Sequence, residues 1–114
     1  SKTDAVQGAY YCSQYSAEDP SPELKAFLDK YKEKYKTDAN QFAVLGYDAM
    51  NLLAQAIEEA GSTDSDKVVA AMKDIDFTGL TGHIVFDENR NPIKQAAITM
   101  IDGGEYKFIE YYEK

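Results

Sequence analysis

The order in which strand and helix patterns follow one another is the feature that most constrains the fold of this sequence. One strand pattern covers residues 6–15. Three helical patterns follow it in succession, and three further strand patterns cover residues 83–86, 96–101 and 106–112. The order β-α-α-α-β-β-β predicts an α/β fold. Because so few strands, so widely separated, do not obviously close one sheet, we expect a mixed sheet that is incomplete within this chain.

The first and third helical patterns predict helices with one apolar face. Ser21 is a favourable N-cap, and Pro22 suits the first helical position. An apolar stripe then follows at helical spacing, formed by Leu24, Phe27, Leu28, Tyr31 and Tyr35. The third pattern covers residues 66–74 and predicts four inward-facing residues: Val68, Val69, Met72 and Ile75.

The second helical pattern, residues 41–60, has a different character. Apolar side chains occur most of the way round this helix, and little polar surface appears before Glu58 and Glu59. A helix with this composition is typically buried, so we expect a buried helix here. Gly61 is well suited to end it.

Composition excludes several classes of protein. The 114 residues are 44% hydrophobic and 28% charged, which is typical of one globular domain and not of a disordered chain. The formal net charge of −8, without a basic run, argues against binding of nucleic acid through phosphate contacts. No apolar run approaches the roughly 20 residues of a membrane-spanning helix.

No metal site or cofactor site is predicted. Asp87, Asn89 and Asn91 have the first three spacings of a calcium loop, but Pro92 and Ile98 stand where that loop needs Gly and Glu. An Asn-rich turn explains these residues instead. His83 is the only histidine, and we expect it at the end of a strand.

Catalysis is also unsupported, and we predict that the protein is not an enzyme. Cys12 is the single cysteine, which excludes an internal disulfide, and it lacks the signature of a nucleophile. We expect it to be a small buried apolar residue. The glycines never form a phosphate-binding loop.

Tyrosines are concentrated near the two ends of the sequence, at Tyr10, Tyr11, Tyr15, Tyr106, Tyr111 and Tyr112. Tyrosine combines apolar area with a hydroxyl group, so it suits half-buried strand faces and the rims of binding clefts. Tyrosine occurs more often on strand faces than at cleft rims, so we favour the strand-face interpretation. The cleft-rim interpretation stays open.

Several short motifs in a fixed order resemble one family. The most specific are QFAVLGYDAM at residues 41–50, AIEEAGSTD at 56–64 and FTGLTGHIVFD at 77–87, supported by VQGAYY at 6–11, the helix from Phe27 to Tyr35 and AITMIDGG at 97–104. Together they resemble the C-terminal part of type I periplasmic or extracellular solute-binding proteins of ABC importers. The group resembled is the one that binds branched-chain amino acids (Leu/Ile/Val).

The resemblance implies that the chain is a fragment of a two-lobe protein about three times longer. Residues 1–15 and 93–114 would belong to the C-terminal lobe, and residues 16–92 to the N-terminal lobe. The chain would cross between lobes near Tyr15 and again near residues 91–93. The missing strands of the incomplete sheet would then lie upstream.

The implied function is capture of a small solute, an amino acid, outside the cytoplasm by hinged closure of the two lobes, followed by delivery to the membrane permease of the importer. No cofactor is implied. The location would be periplasmic or extracellular, and a preceding segment would carry any lipid anchor. Two alternatives are a ligand-sensing receptor ectodomain with the same fold and an independent small α/β interaction domain that resembles the family by chance.

The resemblance places two residues of this chain in the ligand cleft. An aromatic residue at the start of the buried helix commonly lines the pocket for the solute's side chain, and Phe42 has that position, with Gln41 beside it. A plain core role for Phe42 is the alternative. Tyr47 and Asp48 lie deeper along the helix, where we expect packing and hydrogen bonding. The polar clamps for the solute's carboxylate and ammonium groups would lie upstream of Ser1.

The predicted fragment would expose unpaired strand edges and the uncovered faces of the second helix. Such surfaces favour association, so we expect a homo-oligomer that forms as a by-product of truncation. Light scattering that reports a monomer near 12.7 kDa would contradict this expectation.

Overall fold

The structure, a computed structural model, describes residues 4–112. Its elements in chain order are β1 (Tyr10–Ser13), α1 (Pro22–Tyr35), α2 (Gln41–Ala60), α3 (Ser65–Lys73), β2 (Phe77–Gly79), β3 (Gly82–Phe86), β4 (Pro92–Ile93), β5 (Ala96–Asp102) and β6 (Glu105–Tyr112). A short 3₁₀ turn, Asp4–Val6, precedes β1. The chain forms two compact units, one from residues up to 41 and from 95 onward, the other from residues 42–94.

The α/β class is confirmed, and each unit has its own three-stranded sheet. The first unit has the strand order β1-β5-β6, and the second has β2-β3-β4. All of these described pairs are antiparallel. The two short strands β2 and β4 were not predicted, because two or three residues are too few to show an alternating pattern. The first strand pairs with β5 of the C-terminal hairpin, with Cys12 opposite Ile98.

Strand β1 is shorter than the predicted 6–15. Residues before it use their backbone groups locally, since the Gln7 amide donates to the Asp4 carbonyl and the Ala9 amide to the Val6 carbonyl. The hairpin between β5 and β6 turns at Gly103 and Gly104, whose φ angles are +60° and +82°. Positive φ at both turn positions is the geometry that glycine permits at low cost, as the sequence predicts.

Hydrogen bonds between neighbouring residues define both ends of helix α1. The Ser21 hydroxyl accepts a hydrogen bond from the Leu24 amide at 3.4 Å, and Pro22 occupies the first turn. The helix ends at Lys36, which has φ +58° and donates its amide to the Lys32 carbonyl. The predicted stripe is inward only at its start: Leu24 is fully buried, whereas Tyr35 at the far end is exposed.

Within this chain, helix α2 is buried on one face only, so the burial that its composition predicts is not complete. The buried face is formed by Val44, Asp48, Leu52 and Ala56, four residues apart in turn. Phe42 is 72% exposed and Met50 is 65% exposed on other faces. These exposed faces agree with the expectation that a fragment leaves part of the second helix uncovered. Whether these surfaces drive self-association stays a prediction.

The core of the 42–94 unit lies between α2, α3 and the small sheet. Its buried members are Leu52, Ala56, Val68, Ile75, Phe77 and Ile84. Helix α3 begins after Asp64, whose carboxylate accepts the Lys67 amide. Val69 is 50% exposed, so its predicted inward position was wrong. It follows the buried Val68 by one residue, a rotation of about 100°, and cannot share its face.

Tyr111 gives the first unit a specific dependence on alkaline pH. Its hydroxyl donates to the Asp19 carboxylate, and burial together with that carboxylate raises the pKa of Tyr111 well above its ordinary value. An unfolded tyrosine loses its proton near pH 10, whereas the folded one keeps it, so the contribution to stability is present below pH 10 and is lost as the pH rises further.

We therefore expect Tyr111→Phe to lower the free energy of unfolding by about 1 kcal/mol at pH 8 and by less above pH 10. Urea unfolding at several pH values measures this difference. Tyr112→Phe, at an exposed neighbour, is the control and should change little. A deficit of Tyr111→Phe that stays constant up to pH 11 would contradict the assigned pKa direction.

Candidate functional site

The two residues predicted to bind ligand stand together at the N-terminus of α2. Gln41 is its first residue and Phe42 its second, and both are exposed. Phe42 therefore does not contribute to the core of this chain. The exposed aromatic ring is available for contact with an apolar group, and its ligand-binding role stays a prediction.

A cavity of about 290 Å³ lies in the unit that contains β1. Its lining consists of Tyr11, Ser13, Tyr15, Ser16, Ala17, Glu18, Gln41, Thr99 and Tyr106. Gln41 thus lies on the wall of a concave site. Three of the terminal tyrosines, Tyr11, Tyr15 and Tyr106, line this cavity, and their role at the rim of a binding cleft stays a prediction. The remaining residues were missed, because neither the loop after β1 nor one threonine in β5 has a distinctive pattern.

The loop that follows β1 is held by hydrogen bonds of its own hydroxyl groups. Ser13 Oγ donates to the Tyr15 carbonyl at 2.5 Å, and the Ser16 hydroxyl accepts the Glu18 amide at 3.2 Å. The Tyr15 hydroxyl donates to the Ala39 carbonyl at 3.1 Å. Burial, and then the negative charge of Asp38, raise the pKa of Tyr15, so this hydroxyl stays protonated at neutral pH.

The lining of the cavity is rich in groups that form hydrogen bonds. Glu18 is the single charged side chain in its lining, and one of its oxygens accepts the Phe108 amide at 2.8 Å. The rings of Tyr11 and Tyr106 meet edge to face, with centroids 5.7 Å apart. The lining offers neutral hydroxyl and amide groups beside aromatic surface, a combination that orients small polar molecules.

Asp48 has the hydrogen-bonding role that the sequence predicts for it. It is only 2% exposed, and its two carboxylate oxygens accept the Leu80 amide at 2.8 Å, the Thr81 amide at 2.8 Å and the Thr81 hydroxyl at 2.7 Å. A Cβ atom at Gly79 would lie 2.5 Å from Asp48 Oδ1, so the turn after β2 must carry glycine there. The buried carboxylate thus fixes this turn against α2.

Lys94 extends this network. Its Nζ donates to the Thr81 hydroxyl at 2.7 Å. Burial lowers the pKa of Lys94, and the charge of Asp48 partly opposes that shift. No pattern in the sequence indicates this link, because Asp48, Thr81 and Lys94 are widely separated along the chain.

The segment with the spacing of a calcium loop, residues 87–91, forms a turn. Asp87 Oδ1 accepts the amides of Asn89 and Asn91, and these hydrogen bonds hold the pKa of Asp87 below its ordinary value. His83 lies in β3 with Nε2 2.9 Å from Asp76 Oδ1, and both side chains are exposed. Among residues 4–112, no group of three His, Cys, Asp or Glu side chains is placed to hold a metal ion.

Cys12 is exposed, so the prediction of a buried cysteine was wrong. It lies in β1, an edge strand whose residues are mostly uncovered within this chain. A small apolar residue is buried only where a neighbouring element covers its face, and the sequence of the strand alone does not reveal that.

A second cavity, of about 590 Å³, lies between α3 and the turn after β3. Its apolar lining includes Val69, Met72 and Phe86, and its charged lining carries both signs. This mixture is usual for protein surface and favours no particular class of ligand.

No helix in the described part of the chain has both the length and the apolar character needed to cross a membrane.

Comparison with known proteins identifies the relatives of this chain. The family model described as "Periplasmic binding protein" matches residues 1–105. Among curated proteins, the chain is 36% identical over 67 residues to the "Leucine-, isoleucine-, valine-, threonine-, and alanine-binding protein" of Pseudomonas aeruginosa; the match covers 59% of this chain and 18% of that protein. It is also 29% identical over 109 residues to "Gamma-aminobutyric acid type B receptor subunit 1" of Mus musculus, covering 76% of this chain and 11% of the receptor.

Among solved structures, the chain resembles a leucine-binding protein, LivK, from Thermotoga maritima. The TM-score is 0.78 at 35% identity, and the match covers 96% of this chain and 32% of that chain. The chain therefore spans about a third of the length of that protein, with the same type I fold. The family match over most of the sequence also excludes a chance resemblance. The chain belongs to the periplasmic binding protein family.

Proposed function

We propose that the chain is the C-terminal part of the substrate-binding component of an ABC importer for a small amino acid, with a branched-chain amino acid as the first candidate. The observation that carries this proposal is the match to LivK, which extends over 96% of the chain at 35% identity. The Pseudomonas aeruginosa relative, which is named for binding leucine, isoleucine, valine, threonine and alanine, supports the same class of ligand.

The proposed mechanism is closure of two lobes around the solute, which presents a changed shape to the membrane permease. Residues 1–15 and 93–114 are proposed to belong to one lobe and residues 16–92 to the other, although the compact units of this chain divide near residues 41 and 95. The protein would act in the periplasm or outside the cell, and a preceding segment would hold any lipid anchor. The exposed start of α2, with Gln41 and Phe42, is the part of the binding cleft that this chain would contribute.

Phe42 is the residue that tests the proposed site most sharply. In the protein that carries this chain, Phe42→Ala should weaken binding of the amino acid by about 1–3 kcal/mol, or about 5- to 150-fold, because an aromatic contact is lost. Calorimetry measures the dissociation constant, and thermal unfolding without ligand measures stability.

Met50→Ala is the matched control, since Met50 is a second exposed apolar residue of the same helix. It should leave affinity unchanged. Equal effects of the two substitutions on affinity, or a lowered melting temperature of Phe42→Ala with unchanged affinity, would exclude Phe42 from the site.

A receptor ectodomain of the same fold is the second candidate, and the match to the receptor subunit favours it specifically. The two functions differ in what the closed protein contacts. A substrate-binding component should stimulate ATP hydrolysis by its permease in reconstituted vesicles when loaded with solute, whereas a sensor should not.

A further inference from the structure

The segment that leaves the 42–94 unit has little backbone support of its own. It contains β4, which is only two residues long and pairs Ile93 with Val85 and Pro92 with Phe86. Proline has no amide proton to donate, so half of this strand cannot contribute a donor to the sheet. Lys94 follows directly and is the last residue of the unit. Another interaction is therefore needed to hold the segment in place.

The side chain of Lys94 supplies that interaction. Its ammonium donates to Thr81 Oγ1 at 2.7 Å, and Thr81 Oγ1 lies 2.7 Å from Asp48 Oδ2. An ammonium has only donors and an ionised carboxylate only acceptors, so the threonine hydroxyl between them must accept from Lys94 and donate to Asp48. Hydrogen bonds to charged groups are stronger than neutral ones, and both bonds are of this kind.

Asp48 is itself fixed on two sides. Helix α2 carries it, and its oxygens also hold the Leu80 and Thr81 amides at 2.8 Å. Because Thr81 is fully buried, the surrounding residues hold its hydroxyl group in one orientation. Lys94 is thereby linked, through one hydroxyl group, to helix α2.

We propose that Lys94 is a positioning residue that fixes the point at which the chain leaves the 42–94 unit, so that backbone bending begins at Gln95 and not within β4. The use of this anchor in lobe closure rests on the proposed function, whereas the anchor itself does not.

Hydrogen exchange of backbone amides tests the anchor without any ligand. Lys94→Met keeps the length of the side chain and removes its charge and donors. Amides of residues 93–96 should exchange at least tenfold faster in this variant, with the rest of the β5–β6 hairpin, residues 97–112, unchanged. Lys67→Met, at an exposed lysine of α3, is the control and should change neither. Unchanged exchange at 93–96, or an equal increase at every amide, would overturn the proposal, because the latter describes a general loss of stability.

A second pair of variants tests the hydroxyl group. Thr81→Val should give the same local increase, and Thr81→Ser should keep the exchange of residues 93–96 within about twofold of the original. If Thr81→Ser behaves like Thr81→Val, the hydroxyl is not the link and the proposal fails. If exchange increases only at residues 93–96 but the complete protein binds no amino acid, the role of Lys94 is supported and the proposed function is contradicted. A failure of one claim can therefore be told apart from a failure of the other.

Discussion

Replacing Asp48 with alanine should lower the free energy of unfolding by at least about 3 kcal/mol. Three buried or part-buried donors, the Leu80 amide, the Thr81 amide and the Thr81 hydroxyl, lose their acceptor at once. Each unsatisfied buried donor costs about 1–3 kcal/mol. Since a domain of this size is typically stable by only about 5–15 kcal/mol, this single change should remove a large part of the total.

Equilibrium urea unfolding measures the loss due to Asp48→Ala. Asp29→Ala, at an exposed position of α1, is the control and should change stability by less than about 0.5 kcal/mol. Asp48→Asn, which keeps one acceptor oxygen, should lie between the control and Asp48→Ala. A loss below about 1 kcal/mol in Asp48→Ala would mean that water satisfies the donors and that the carboxylate does not fix the turn.

Residues 1–114 alone should not bind free leucine, isoleucine or valine with a dissociation constant of about 10 µM or tighter, which corresponds to roughly −7 kcal/mol. The family resemblance places the polar clamps for the carboxylate and ammonium groups of the solute upstream of Ser1. The cavity next to Gln41 also lacks a cationic side chain in its lining, so that cavity offers no ion pair to a carboxylate. Hydroxyl groups and an exposed aromatic ring alone provide too little binding energy for a freely diffusing amino acid.

Calorimetry with each of the three amino acids tests this expectation. Circular dichroism of the same sample confirms that the chain is folded. Binding tighter than about 10 µM by a folded chain would show that the clamps are within residues 1–114, and that the resemblance has been carried to the wrong residues.

Features that depend on local chemistry were predictable from the sequence. The N-cap at Ser21, the hairpin turn at Gly103 and Gly104 and the polar turn at Asp87 all depend on residues within four positions of one another. Such interactions form whatever the rest of the chain does. The elements they delimit therefore lie close to their predicted positions.

Features that depend on contacts between elements distant in the sequence were not predictable. The side chain of Cys12 was expected to be buried, yet it is exposed where this chain supplies no cover, and the composition of α2 did not show which of its faces would be covered. The link from Asp48 through Thr81 to Lys94 joins residues up to 46 positions apart, and no periodic pattern marks it. The cavity next to Gln41 likewise takes side chains from opposite ends of the sequence.

The central claim is that this chain forms part of an amino-acid-binding protein, and one calorimetric titration tests it most directly. The complete protein that carries this chain should bind at least one of leucine, isoleucine and valine with a dissociation constant of about 10 µM or tighter, while Phe42→Ala weakens that binding at least about fivefold. If the complete, folded protein binds none of the three, or if Phe42→Ala leaves the affinity unchanged, the proposed ligand or the proposed site is contradicted.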